Sequence, residues 1–214
     1  MLLEKGVINM SFKDIRIDSS KRCKENAGVL AIITLIFMLF NLICNVGNVK
    51  NNDVNETKLT INYLGIFSLL FAGAFTYGYA YVIRKNFNNE KPIVTDLFTG
   101  FKRFGDTFIM NLLQTIYITL WTMLFIVPGI IKMISYSMSY YIMLDNPELS
   151  PNQCITKSKE IMRGHKWDYF CLIISYLGWI ILCVLTLGIL TLWVVPKINT
   201  SCYNFYKLIL EEKE

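Results

Sequence analysis

Few side chains in this 214-residue chain are of kinds that do chemistry, and their spacing limits what that chemistry is. His165 is the single histidine. Alone in a basic turn it cannot complete a histidine-based metal site or a two-histidine proton relay. The six cysteines, Cys23, Cys44, Cys154, Cys171, Cys183 and Cys202, form no C-x-x-C pair, so neither a zinc site nor a redox motif is indicated. Several sit in apolar stretches, where cysteine serves as a small packing residue. No phosphate loop, G-x-S-x-G, H-E-x-x-H or dinucleotide fingerprint occurs. No paired carboxylates fall inside the apolar stretches, which leaves proton or sodium coupling without a carrier. The expectation is a noncatalytic protein with no catalytic residue, no cofactor and no metal.

Two lysines stand out by position. Lys132 and Lys197 follow Pro128 and Pro196 within apolar sequence, and both are expected near the outer face of a membrane. A cation there is costly, so it pairs, lines a cavity or snorkels to the headgroups. Asn111, Gln114 and Thr115 share one helical face, and Ser135, Tyr136, Ser137, Ser139 and Tyr140 enrich the next helix in hydroxyls. One reading is a polar, outward-facing groove made by Lys132, Lys197, Asn111, Gln114, Ser135 and Tyr136. The plainer one is snorkelling and packing between helices. A second group, Lys102, Arg103, Lys159, Arg163, His165 and Lys166, mixes cations with aromatic residues and suits lipid headgroups. Asp145, Asn146 and Pro147 read as a turn closing a helix, not as a carboxylate site.

The elements that must carry these residues follow from composition. Hydrophobic residues make up 54% and charged residues 17%, against about 25% charged in an average soluble domain. Residues 27–46, 61–83 and 107–131 are free of charge. At about 1.5 Å per residue each spans the roughly 30 Å of a bilayer core. Residues 1–26 mix acidic and basic side chains, so no cleavable signal is expected and the first spanning helix directs its own insertion. The net charge of +5 is placed as a membrane protein places it: six Lys and Arg in 1–26, five in 84–103, four in 157–166 and two after 206, or 17 of 21. An even number of crossings puts these on one side, and the positive-inside rule makes that side cytoplasmic. Nucleic acid is not an expected partner.

The expected fold is therefore an all-α integral membrane protein of about six transmembrane helices, arranged as three helical hairpins with cytoplasmic amphipathic elements. Residues 1–26 form a cytoplasmic segment, 27–210 a polytopic membrane domain with hairpins 27–83, 107–144 and 168–210, and 211–214 a cytoplasmic tail. The Asn-rich loop 47–60, with a sequon at Asn55, Glu56 and Thr57, reads as external. Pro128 and Gly129 are expected to break the second hairpin, after which 130–144 is short for a crossing; a crossing is preferred, a re-entrant element the alternative. Ser150 and Pro151 start an amphipathic turn that carries Ile155, Ser158, Ile161, Met162 and His165 on one face, with Lys157, Lys159, Arg163 and Lys166 largely occupying the rest. Pro196 is expected to interrupt the last helix.

An internal repeat supports this division. The segment from Leu120, LWTMLFIVPGIIK, lines up with LTLWVVPK from Leu190, and GFKRFGDTF from Gly100 parallels GHKWDYF from Gly164. The repeats run in the same direction, which implies an even number of crossings in each unit.

Residues 98–208 carry P-G-I-I-K followed by Y-S-M, then D-N-P-E-L-S, S-K-E-I-M-R-G-H-K, and L-T-L-G ahead of W-x-x-P. This run resembles the bacterial integral membrane family catalogued as domain of unknown function nine hundred and seventy-five, itself similar to the membrane domain of some glycerophosphodiester phosphodiesterases. The resemblance implies a multi-pass protein of the cytoplasmic membrane of a Gram-positive-type bacterium. The function expected is a noncatalytic module acting through contacts with membrane lipid, other membrane proteins or a second copy. A transporter or transport and immunity accessory is one alternative, and a lipid-modifying enzyme another.

Overall fold

Every regular element in the computed structural model, which describes residues 12–49 and 63–213, is helical. Most of the expected external loop, with its sequon, lies outside the described residues. Helix α1 (Phe12–Glu25) is rich in charge and buries Ile15, Ser19 and Cys23, four residues apart along one stripe. It turns by 96° into α2 (Ala27–Val49). Helix α3 (Tyr63–Phe87) returns, and a 3-10 helix (Val94–Arg103) leads into α4 (Phe104–Leu124). Then come α5 (Ile126–Tyr136), α6 (Ser139–Asp145), α7 (Pro151–Ile161), α8 (Lys166–Ile174), α9 (Leu177–Leu185) and α10 (Thr191–Lys213).

Two stretches among the described residues are long and apolar enough to cross a membrane, Val94–Leu124 and Lys166–Leu185. The bent pair α1 and Ala27–Leu42 makes a third if counted as one span.

Ten residues is long for a 3-10 helix, and the sequence shows why one forms. With three residues per turn, side chains at i and i+3 eclipse. Phe98, Phe101 and Phe104 fall at that spacing, with ring centroids about 6 Å apart along the row, and the row packs on Phe71 and Phe75 of α3. The adjacent row meets the same helix through glycine: a Cβ at Gly78 would collide with the Leu97 carbonyl, and one at Gly100 with that of Ala74. The start is fixed by Asp96, which accepts from the Ile93 amide at 2.9 Å.

Prolines act differently from the expectation. The chain breaks at Phe125, which is extended, and Pro128 lies in the first turn of α5. A proline lacks the amide donor and crowds the carbonyl four residues back, here Leu124, so its effect falls upstream of itself. Gly129 then packs where any Cβ would strike Thr122, drawing α5 close to α4. Pro196 does not end α10, which runs through it; the carbonyl it frees, that of Leu192, lies in the helix's first turn. Two short breaks without a proline fall at Ser137 and Met138 and at Ser175 and Tyr176.

Helix α7 forms as expected. Ser150 and Gln153 cap it reciprocally, Pro151 takes the first helical position, and Ile155, Ser158, Ile161, Met162 and His165 are buried.

Burial is uneven along the hairpins. The ends near α1, α6 and α7 share one core that includes Ile15, Val82, Ile83, Leu97, Met138, Ile142, Met162, Tyr203 and Phe205. The opposite ends expose large apolar side chains, reaching 88% at Met123 and 94% at Leu187.

Candidate functional site

Polar side chains gather where the helices pack. The Asp145 carboxylate accepts from Lys207 Nζ at 2.7 Å, Arg84 Nη1 at 3.3 Å and the Tyr206 hydroxyl at 3.3 Å. Arg84 also donates to the Leu144 carbonyl at 2.9 Å. This ties α3, α6 and α10 together, so Asp145 is a carboxylate node as well as a helix end, a correction to the turn-only reading. Nearby, Asn26 donates to Asn86 at 3.0 Å and Cys23 meets the Thr200 hydroxyl at 3.3 Å, joining the bend between α1 and α2 to α3 and α10. Burial pushes the Cys23 thiol above its ordinary value. Lys85 donates to both oxygens of Asp96, and that hydrogen bonding holds its ammonium above the ordinary lysine value.

The residues expected to form a polar groove separate into groups. Gln114 donates to the Tyr136 carbonyl at 3.2 Å, and the Ser135 carbonyl accepts from Ser158 of α7 at 2.8 Å, so these three lie close around α5. Asn111 instead donates to Leu69 of α3 at 3.1 Å. Thr115 bonds back to its own helix. Lys132 lies 4.5 Å from the Trp121 ring centroid and Lys197 5.6 Å from that of Trp179. Each lysine on a return arm thus stacks on a tryptophan of the outgoing arm.

Their surroundings differ. Lys132 lies on α5, which packs against α7 and α8. Lys197 lines a cavity of about 530 Å³ between α1, α9 and α10, with Lys13, Arg16, Ser20, Tyr176 and Trp179; Lys132 is not among its walls. Arg16 stacks over Tyr176 at 4.9 Å, and Tyr176 is held by Ser201 at 2.6 Å. Neither Lys13 nor Arg16 stood out in the sequence. Both belong to a charged segment whose amphipathic stripe was the one available signal.

Among the expected headgroup residues, Lys102, Lys159 and Arg163 are exposed and Lys166 is half-buried. Arg103 is engaged, with Asp106 at 2.8 Å and the Pro147 carbonyl at 2.8 Å. His165 is buried, 3.8 Å from Asp168 and 3.9 Å from Glu212, distances too long for hydrogen bonds. Asp106 and Asp168 occupy the first turns of α4 and α8, three residues after Arg103 and His165, matching positions in the repeat. A carboxylate there is favoured by the helix dipole.

A family model described as protein of unknown function (DUF975) matches residues 9–135 and 123–213. The chain belongs to this family. The DUF975 match takes in every described helix and every residue of the α1, α9 and α10 cavity. No curated protein and no solved structure matches the chain.

Proposed function

We propose that this DUF975 protein is a noncatalytic multi-pass module of a bacterial cell membrane, acting through contacts with lipid and with other membrane proteins or a second copy. The observation that carries the reading is the uneven burial: one end of the molecule packs charges into networks, while the far ends of α4, α5, α9 and α10 expose many large apolar side chains. Such a concentration of exposed apolar side chains suits acyl chains.

The position of the lysines bears on depth. Lys132 and Lys197 lie close to charged α7, α8 and α1, and lysine with tryptophan is a headgroup-level pairing. From Lys132 to Phe125 the arm measures about 10 Å, and from Lys197 to Gly188 about 14 Å, against a core of roughly 30 Å. On this reading the first hairpin crosses, the second and third dip from the cytoplasmic side, and both termini are cytoplasmic. Lys132, Lys197, Lys102, Lys159, Arg163 and Lys166 then serve anionic headgroups, and the shared outward groove is not needed.

The second reading keeps six full crossings, favoured by the lengths of Val94–Leu124 and Lys166–Leu185. Reporters fused after Gly129 and Gly188 separate the two: a cytoplasmic signal or none outside supports dipping, an external signal supports six crossings. Fusions after Asn52 report outside and those after Asn88, Asn146 and Glu212 inside on either reading. Turnover of lipid by the purified chain, or solute flux across reconstituted vesicles, would overturn the noncatalytic, non-transporting role.

A further inference from the structure

The cavity between α1, α9 and α10 is charged in an unbalanced way. Lys13, Arg16 and Lys197 converge on it, and its other walls are Ile17, Ser20, Tyr176, Trp179 and Val194, with no carboxylate among them. None of the ion pairs among the described residues involves these three cations. Two are instead steadied by rings, Arg16 by Tyr176 and Lys197 by Trp179, contacts that orient a cation without neutralising it. A guanidinium held this way offers paired donors that match phosphate oxygens.

The cavity also opens onto apolar ground. Val194 is shared with a cleft of about 380 Å³ between α9 and α10, walled by Ile180, Val184, Val195 and Ile198. Lys197 is shared with a narrower groove of about 80 Å³ walled by Cys23, Ala27, Leu30, Leu192, Trp193 and Pro196, with Lys24 at its edge. Cations flanked by two apolar clefts match an amphiphile whose anionic head sits in the cavity and whose acyl chains start along the clefts and run on into the bilayer.

The geometry points to a binding site for one anionic phospholipid, its phosphate held by Lys13, Arg16 and Lys197 and its acyl chains laid along the two apolar clefts. A nucleic-acid or peptide anion would leave those clefts empty. The assignment rests on the hairpins being embedded in a membrane, and adds to it which lipid is selected and where.

The test is native mass spectrometry of the full chain in detergent, with phosphatidylglycerol and phosphatidylcholine supplied together. The expected result is one phosphatidylglycerol retained per chain at activation energies that strip phosphatidylcholine. Lys13→Glu alters an exposed side chain and leaves the packing intact, and it lowers retention about tenfold, the effect of 1.4 kcal/mol. Arg16→Gln with Lys197→Gln abolishes retention, Arg16→Lys keeps most of it, and Lys21→Gln with Lys91→Gln, exposed and outside the cavity walls, changes nothing. Equal retention of both lipids, or undiminished retention in Lys13→Glu, overturns the site. Displacement of the lipid by millimolar inorganic phosphate or glycerol phosphate would assign the cations to a soluble anion and overturn the lipid. In either case a chain that still resists extraction from vesicles by alkaline carbonate leaves the membrane-module reading standing.

Discussion

Lys207 donates to Asp145 across 2.7 Å although the two are 62 positions apart in the chain, and Arg84 reaches the same carboxylate from α3. One partly buried anion therefore fastens three helices, α3, α6 and α10, that lie far apart in the chain. Removing it leaves two cations facing each other without a counter-charge, so Asp145→Asn is expected to cost about 2 kcal/mol, the scale of a hydrogen-bonded charged group. For a chain of this length that is a fall of about 5 °C in Tm, read by tryptophan fluorescence in detergent. Lys207→Met added to Asp145→Asn should cost less than the sum of the two, because they share one network.

The Lys85 and Asp96 pair gives a pH dependence of known sign. Lys85 is held above the ordinary lysine value of 10.5 by its hydrogen bonds to Asp96. A folded-state value raised above the unfolded one contributes stability that is complete below the unfolded value and lost as pH rises through the folded one. Tm is thus expected to stay level from neutral pH to about 9.5 and to fall beyond about 10.5. Lys85→Met should lower the plateau and flatten the alkaline fall; an unchanged alkaline slope would remove this pair from the account.

Gly78 and Gly28 make a matched comparison. A methyl group at Gly78 strikes the Leu97 carbonyl, where only backbone could move aside, whereas one at Gly28 meets nothing within 4 Å. Gly78→Ala is expected to destabilise by roughly 2 kcal/mol or more. Gly28→Ala should stabilise by roughly 0.5 to 1 kcal/mol through helix propensity. Thermal melts of the two variants beside the parent protein decide it.

Much of the site was hidden in the sequence for reasons these residues make concrete. Asp145 precedes Asn146 and Pro147, and local rules read that string as a turn, which it also is. Its cations, Arg84 and Lys207, lie about 60 positions away on either side, and no local pattern announces them. Lys132 and Lys197 did stand out, as charges in apolar runs, yet their stacking partners Trp121 and Trp179 lie across a hairpin turn. Pairing Lys197 with Lys13 and Arg16 required knowing that α1 folds back along α10.

The sequence by itself determined the helical class, the apolar arms and the buried face of α7, because each depends on composition or on spacing within a turn or two. Membership of the family was legible for the same reason, in short motifs around the prolines and Gly164. Only the tertiary structure decided that the chain breaks at Phe125, that phenylalanines three apart run along a 3-10 helix, and that three cations meet without a carboxylate. Each of these is set by the approach of segments far apart in the chain: α5 on α4, the phenylalanine row on α3, and α1 on α9 and α10. Hydrophobic length tells a helix what solvent it needs; only packing tells it which neighbours supply the charges.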